Sequence, residues 1–407
     1  MDKWGGGRIL AISNIAINLL ILGIFKYFNF FADNFVTLCN NIGLLSVHPV
    51  TLKLILPVGI SFYTFQALSY TIDVYRGKIA ATKDVVSFFA FISFFPQLVA
   101  GPIERATNLL PQFQRERRFI YATAVDGTKQ ILWGLFKKMV IADNCADIVD
   151  KIWIDYSQHS SLMLIVAGVL FAFQIYGDFS GYSDIAIGTA KLFGIKLMRN
   201  FNLPYLSRSV AEFWKRWHIS LNTWFVDYVY IPLGGSREGK WKTIRNTFVI
   251  FFLSGLWHGA NWTYVTWGVY HAALFIPMLI IGKRQKYNDV VAQNCTFPSI
   301  REIWQVGTTF VLATFGWIIF RANSISEFLG YISCIFSNIN IHESLESYKV
   351  FLYIAILITI EWFNRRREYA LAFHLHNQYL RWGFYILVAI LCLTQAGKQV
   401  QFIYFQF

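Results

Sequence analysis

Charged residues are scarce in this chain of 407 amino acids. Asp, Glu, Lys and Arg together make up 14% of it, while hydrophobic residues make up 56%. Soluble domains carry about 25% charged residues. A soluble chain of this length also usually divides into domains joined by polar linkers, and the sequence contains none. The composition therefore excludes an ordinary soluble protein.

The marks of several familiar enzyme classes are also missing. The five cysteines are scattered, without the C-x-x-C pair that indicates a metal or redox site. Neither a G-x-S-x-G nucleophile elbow nor an H-E-x-x-H zinc motif occurs. His374 and His376 are two residues apart and do not share a helix face, so we expect no metal site. The near match to a phosphate-binding loop at 234–241 has Trp241 where Ser or Thr is required, which argues against ATP hydrolysis.

Long apolar runs fill most of the chain instead. About 20 residues are needed to cross ~30 Å of hydrocarbon, and runs of that length recur. We predict an all-α polytopic membrane protein, a single domain over 1–407 with roughly nine to eleven membrane-embedded segments. The candidates are 9–31, 51–73 (bent at Pro57 and Gly59), 86–100 (a half-helix), 122–150, 161–177, 179–194, 209–231, 246–258, 261–282, 303–321, 347–363 and 383–397, of which 122–150 and 209–231 are alternatively interfacial. An amphipathic stretch lies at 324–336 and a polar connection at 101–118.

The basic residues lie in short loops between the apolar runs and give a net charge of +13. They cluster at 115–118, 236–245, 283–286 and 365–367. Cytoplasmic loops of membrane proteins carry an excess of Lys and Arg, so these loops are predicted to face the cytoplasm. In a soluble protein the same charge would indicate nucleic acid. Here the loop positions explain it, and we expect no nucleic-acid partner.

Three groups of polar residues stand where apolar residues are expected. Ionisable groups in membrane segments are costly and tend to mark functional sites. The first group is "GPIER", with Glu104 and Arg105. It is either an interfacial ion pair or an arginine that grips a phosphate-like group. The second is "YGDFSGYSD", with Asp178, Ser180 and Asp184, which is either a tight packing motif or a pair of carboxylates that orient a histidine or an arginine.

The third group is a pair of histidines, each preceded by a tryptophan. His218 lies in "WHIS" and His258 in "WHGA". Each is either a hydrogen-bonded core residue or a neutral base suited to proton transfer. Arg245 ends a basic loop and lies about 20 Å along a helix from His258, which predicts that His258 is inside the membrane-embedded body. The simplest chemistry for such a base is to deprotonate a hydroxyl that attacks a bound thioester.

Four long motifs follow one another along the chain: "FFPQLVAGPIERATNLLPQF", "YGDFSGYSDIAIGTAKLFGI", "NFNLPYLSRSVAEFWKRWHISLNTWFVDYVYIPLGGSREGK" and "LSGLWHGANWTYVTWGVYHA". In this order they resemble the membrane-bound O-acyltransferase family, and within it the bacterial branch that takes part in alginate O-acetylation. The motifs are dense from about residue 50 to residue 275 and looser up to the C-terminal "FIYFQF". The resemblance implies a ring of tilted transmembrane and re-entrant helices around a central tunnel, in which an acyl donor and an acceptor meet.

The resemblance also implies roles for individual residues. His258 falls on the family's catalytic histidine and is expected to be the general base. His218 falls on its second histidine and is expected to position the donor or relay a proton. Weaker candidates for donor or substrate binding are Arg105, Asp178, Ser180 and Asp184.

Substrates, partners and location follow from the same resemblance. It implies acetyl-CoA as acyl donor with no bound cofactor, and an exopolysaccharide or cell-wall glycan as acceptor, reached directly or through a periplasmic acetyltransferase. The expected location is the inner membrane of a bacterium, as a multi-pass protein. Related proteins have about two further apolar helices before the segment at 9–31, so this chain starts late. It is naturally short, its start codon is mis-called, or it is a fragment; if the helices are absent, an incomplete donor tunnel is expected.

Other functions stay open. Within the family, the transferred group is alternatively D-alanine from a carrier protein or a fatty acyl group. A component of polysaccharide export or transport would also have broken helices and intramembrane charges, although the lack of internal repeats counts against it. A third alternative is an assembly partner that only docks a soluble transferase.

Overall fold

A computed structural model describes residues 7–43, 51–281, 287, 289–340, 343–344, 348–373, 377–396 and 401–403. Across these residues the chain is helical and contains no β-strand, which confirms the all-α prediction. The basic segment at 283–286, the histidines at 374 and 376 and most of the terminal "FIYFQF" lie outside the described residues.

The α-helices follow one another with short connections. They are α1 Gly7–Leu22, α2 Phe28–Asn41, α3 Ile60–Tyr75, α4 Val85–Ile92, α5 Ala106–Phe113, α6 Tyr121–Leu135, α7 Asp143–Ile154, α8 Ser161–Leu192, α9 Val210–Arg216, α10 Ile219–Phe225, α11 Lys240–His258, α12 Trp262–Ile281, α13 Ile300–Arg321, α14 Ile325–Ser337, α15 Lys349–Phe363 and α16 Gln378–Thr394. π-helical turns at Gly23–Tyr27 and Phe136–Ala142 join α1 to α2 and α6 to α7, and a third at Val226–Tyr230 extends α10.

Four helical segments of the described residues are long and apolar enough to cross a membrane. They are Gly7–Asn41, Ser161–Leu192, Trp262–Ile281 and Ile300–Arg321. In its most apolar window α8 is 78% buried, against 11% for the first segment, so α8 forms the centre of the molecule and α1–α2 lies at its edge. The other predicted segments correspond to shorter or less apolar helices, including the short apolar stretch Val85–Gln97.

The predicted helices at 161–177 and 179–194 are one continuous helix, α8. The polar sequence 176–184, where the two predicted helices meet, does not interrupt α8. Its small residues let α8 pack closely on α6 and on the π-turn that follows α6. A Cβ on Gly177 would lie 2.8 Å from the backbone oxygen of Lys137. Glycine therefore serves here as a helix-packing residue and not as a helix breaker.

The predicted helix at 51–73 begins only at Ile60. Residues 51–57 have no regular structure, and Gly59 precedes the helix with φ +77°. A Cβ at Gly59 would lie 2.3 Å from the backbone oxygen of Leu98, so the chain approaches the half-helix region too closely for any side chain. The polar connection predicted at 101–118 likewise contains a helix, α5.

The helix ends collect at two faces. At one face, Lys191 near the end of α8 pairs with Asp126 near the start of α6 at 2.6 Å, and the Tyr369 hydroxyl donates to the same carboxylate at 2.5 Å. We call it the basic face, since it also holds 115–118 and 365–367. At the opposite face, Arg321 pairs with Asp150 at 2.5 Å.

Candidate active site

His258 is the last residue of α11, in the turn of the α11–α12 hairpin. The two helices are very close, because a Cβ on Gly255 would lie 2.2 Å from the backbone oxygen of Tyr264. The turn is fixed to the opposite face by Asn261, whose side chain donates to the Asn323 carbonyl at 2.8 Å. The helices predicted at 246–258 and 261–282 therefore form a hairpin, with His258 near its closed end.

Aromatic rings surround His258 on one side and a cavity lies on the other. The rings of Trp257, Trp267 and Phe320 meet the imidazole edge to face at 5.0, 5.2 and 5.1 Å between centroids. His258 is only partly buried, because it lines a cavity of about 210 Å³. Lys26, residues 56–62, Val99 and Trp257 line the rest of it. This position agrees with the expectation that His258 lies inside the body of the protein.

Lys26 and Tyr27, in the π-turn of the first helical segment, hold the end of α11. The Lys26 ammonium donates to the carbonyl oxygens of Trp257 at 2.7 Å and His258 at 3.1 Å. The Tyr27 hydroxyl donates to the Leu256 carbonyl at 2.9 Å. The last carbonyls of a helix have no partner within it, and a cation there is favoured by the helix dipole. The turn that carries His258 is thus satisfied by a distant segment.

Lys26 was missed by the sequence reasoning. A single lysine in an apolar run is typical of a side chain that reaches back to the membrane surface. Its carbonyl partner Trp257 is 231 residues away. The available signal was a lysine inside the first apolar run, five residues before its predicted end at residue 31.

His218 lies at the break between α9 and α10, in a left-handed conformation with φ +45°. It is buried, and its Nδ1 is 3.1 Å from the Asn200 side-chain oxygen. The same oxygen accepts the Ser220 backbone N–H at 3.3 Å and the Ser220 hydroxyl at 2.9 Å. An amide oxygen only accepts, so Nδ1 of His218 donates and Nε2 carries the lone pair.

The structure brings both predicted histidines against one tryptophan. The Trp257 ring centroid is 6.1 Å from that of His218 and 5.0 Å from that of His258. Phe65 stacks on the same indole at 5.5 Å and fixes it. Of these two histidines, His258 lines the cavity and His218 does not.

Arg105 lies in a separate cluster, outside the histidine cavity. Its guanidinium is 3.4 Å from the Asp227 carboxylate and 5.1 Å from the centroid of the Tyr228 ring. Arg76 and Lys78 lie over the same ring at 5.7 and 5.8 Å. The Arg105 Nη1 atom is buried without a hydrogen-bond partner among the described residues. Three cations therefore surround one tyrosine here.

Glu104 does not form the ion pair with Arg105 that the first motif suggested. Its carboxylate instead accepts from the Asn108 side chain at 2.7 Å and from the Met198 backbone N–H. Glu104 therefore fixes the start of α5 to the segment after α8.

The acidic pair of the second motif forms its described salt bridges with lysines. Lys138 is 2.6 Å from Asp178, and Lys137 is 2.5 Å from Asp184 and 2.9 Å from the Ser180 hydroxyl. Lys137 is only 3% exposed, so it does not reach the membrane surface. These contacts join α8 to the π-turn after α6. A role of Asp178, Ser180 and Asp184 in donor or substrate binding stays a prediction.

In the part of the chain that the structure describes, no group of three or more His, Cys, Asp and Glu residues could hold a metal ion. Among the predicted site residues, the histidine cavity and the Arg105 cluster are the two places to consider for substrate. The cavity contains a base, and the cluster contains cations that suit a phosphate group.

Comparisons with known proteins cover this region. The family model described as MBOAT, membrane-bound O-acyltransferase family, matches residues 78–320, which is more than half of the chain. The chain is similar to a protein named probable alginate O-acetylase AlgI from Azotobacter vinelandii. The two are 40% identical over 312 residues, which make up 76% of this chain and 59% of that protein.

Two further relatives carry other names. The peptidoglycan O-acetyltransferase of Helicobacter pylori is 35% identical over 352 residues, 79% of this chain and 63% of that protein. The teichoic acid D-alanyltransferase of Bacillus subtilis is 30% identical over 275 residues, 65% of this chain and 68% of that protein.

The chain spans less than two thirds of the length of the alginate O-acetylase and of the peptidoglycan O-acetyltransferase. The matched stretch nevertheless contains both histidines and, apart from Arg76, the Arg105 cluster, and it includes long apolar helices. The chain is a multi-pass membrane protein that belongs to the membrane-bound O-acyltransferase family.

Proposed function

We propose that this chain is an O-acyltransferase that moves an acetyl group from a cytoplasmic thioester, acetyl-CoA, to a hydroxyl of an exopolysaccharide or cell-wall glycan. The observation that carries the proposal is His258, which lines a cavity between three aromatic rings and the first helical segment. A base at this position is shielded from bulk water and open to a small substrate. No cofactor is required for the transfer.

The proposed reaction uses His258 as general base. The imidazole takes the proton of the acceptor hydroxyl while the hydroxyl oxygen attacks the thioester carbonyl carbon. The tetrahedral intermediate then collapses, the carbon–sulfur bond breaks, and the leaving thiolate takes the proton from His258. His218 supports this step from the other side of the pair. It contacts the same Trp257 ring as His258, and its Nε2 atom carries a lone pair that can accept a proton.

Arg105 is the proposed contact for the phosphate groups of the donor. It lies with Arg76 and Lys78, and one of its N–H groups is buried without a described partner. The cluster is near the N-terminal end of α11, because the Asn246 side chain of that helix donates to the Leu233 carbonyl just beyond the π-turn. His258 is at the other end of α11, so the acyl group would travel along this helix.

The acceptor and the location are also proposals. Two of the relatives are named for O-acetylation of alginate and of peptidoglycan, which supports acetyl as the group and a surface glycan as the final acceptor. We propose a bacterial inner membrane, with the basic face in the cytoplasm. Transfer occurs directly to the glycan or through a periplasmic acetyltransferase.

The test is a measurement of ester-linked acetate on surface glycans of the host. Strains with His258→Gln and a deletion are compared with wild type at equal membrane levels of the protein. His271→Gln is the matched control, because His271 also packs on Trp267, accepts from the Trp214 indole at 3.3 Å and lies outside the cavity. We expect His258→Gln to match the deletion and His271→Gln to keep its acetate. Normal acetylation with His258→Gln would refute the base assignment.

A second candidate function is D-alanyl transfer, and the similarity to the teichoic acid D-alanyltransferase favours it. Ester-linked D-alanine is therefore measured in the same glycan extracts. Loss of D-alanine and not of acetate in the deletion strain would replace the first proposal by the second.

A further inference from the structure

Ser61, in the first turn of α3, faces the same cavity as His258. The side chain is buried, and its hydroxyl oxygen accepts a hydrogen bond from the Lys26 ammonium at 3.2 Å. The other two hydrogen bonds of Lys26 go to the carbonyl oxygens of Trp257 and His258. One ammonium group thus joins the turn of the proposed base to the serine beside it.

The lining of the cavity contains few polar side chains. Apart from the Trp257 indole, they are Lys26, Ser61 and His258. A lysine ammonium has three N–H donors, and all three of Lys26 are used by the contacts above. A carbonyl oxygen in the cavity would therefore take a hydrogen bond from the Ser61 hydroxyl more readily than from Lys26.

The hydrogen bond from Lys26 also changes Ser61 as a donor. A cation that donates to a hydroxyl oxygen polarises the hydroxyl, and its own proton becomes a stronger donor. Among the described contacts of Ser61, none occupies this proton. The hydroxyl is thus prepared to donate to a group that enters the cavity.

Resting on the proposed function, we propose that Ser61 donates a hydrogen bond to the carbonyl oxygen of the thioester as that oxygen becomes negative. As the acceptor oxygen bonds to the carbonyl carbon, the carbonyl π electrons move to the carbonyl oxygen. The Ser61 proton stays on Ser61. When the carbonyl forms again, the carbon–sulfur bond breaks and the thiolate receives the proton held by His258. Lys26 is a positioning residue that fixes Ser61 relative to the His258 turn.

The test uses the purified full chain with acetyl-CoA and a glycan oligosaccharide, and it follows transferred acetate. Removal of one oxyanion donor typically lowers kcat by about 10²-fold to 10³-fold. We expect such a loss in Ser61→Ala, with KM nearly unchanged, and substantial recovery in Ser61→Thr. Ser69→Ala is the control, because the Ser69 hydroxyl is buried on the same helix and donates to the Gln66 carbonyl at 2.8 Å.

Lys26→Met tests the positioning role. We expect it to lower kcat at least as much as Ser61→Ala, and the double variant to be no slower than Lys26→Met alone, because the two residues act as a unit. If Ser61→Ala is as fast as Ser69→Ala while His258→Gln is inactive, the inference is overturned and the proposed function still stands. A loss confined to KM would overturn it as well. Full activity of His258→Gln would instead remove the proposed function itself.

Discussion

The Asn200 side chain determines which ring nitrogen of His218 carries the proton, because its oxygen is 3.1 Å from Nδ1. Asn200→Ala removes this acceptor, so the ring is no longer held with Nε2 as its lone-pair nitrogen. Loss of a residue that orients a functional histidine typically costs about 10-fold to 100-fold. We expect a loss of this size in the acetyl-transfer rate of Asn200→Ala, measured per folded molecule.

The control for this prediction is Asn202→Ala. Asn202 is close in the chain and takes part in the described contacts through its backbone, where its carbonyl accepts from Arg216 at 3.2 Å. Equal rates for Asn200→Ala and Asn202→Ala would show that His218 does not act through Asn200.

Sequence reasoning located the two histidines but not the residues that hold them. His258 was recognisable because an ionisable residue followed by glycine at the end of an apolar run is uncommon. Lys26 and Asn200 carry no such local signal. Their partners lie 231 and 18 residues away along the chain, and only the packed fold brings them together. The roles proposed for Lys26 and Asn200 therefore depend on tertiary structure.

The contact between α6 and α8 depends on two pairs of glycines. A Cβ on Gly134 would lie 2.6 Å from the Gly181 backbone oxygen, and one on Gly127 would lie 2.5 Å from the Gly188 backbone oxygen. Backbone atoms cannot move aside as a side chain does, so Gly134→Ala must push the helices apart. Such overpacking costs about 1–3 kcal/mol. We expect a lower melting temperature for this variant in detergent.

Gly307→Ala, in α13, is the matched control for the Gly134→Ala prediction. A Cβ at Gly307 would meet no atom within 4 Å, and alanine is favoured over glycine inside a helix. Its melting temperature is expected to equal or exceed that of wild type. A Gly134→Ala variant as stable as Gly307→Ala would show that the helices tolerate a wider separation.

The bounds of the elements were predicted best where apolar runs end at glycine or at charge. The α11–α12 hairpin is an example. Within α8 the prediction of two helices, 161–177 and 179–194, was wrong, because one continuous helix contains both Asp178 and Asp184. Their partners Lys138 and Lys137 neutralise them inside the protein, and a helix continues through a charge that is paired. The pairing required α6 and α8 to be adjacent, which no local pattern in the chain indicates.

At the scale of the whole molecule, composition was sufficient for an all-α membrane protein but not for the number of crossings. Four helical segments of the described residues are long enough to cross alone. Several of the remaining helices are too short to cross a membrane alone, such as α4 with 8 residues. Apolar content does not distinguish a crossing helix from a short one packed inside the protein.

The orientation of the molecule gives a prediction that tests the whole arrangement. Arg115 is exposed at the basic face, and Ser157 is exposed at the opposite face. A cysteine is introduced at one position at a time after exposed Cys295 and partly exposed Cys334 are changed to Ser, which leaves three buried native cysteines. Loops rich in Lys and Arg stay in the cytoplasm. A membrane-impermeant maleimide added to spheroplasts should therefore label Ser157→Cys at once and Arg115→Cys only after permeabilisation. The reverse pattern would place the Arg105 cluster on the side that lacks cytoplasmic thioesters, and the proposed direction of acyl transfer would then be wrong.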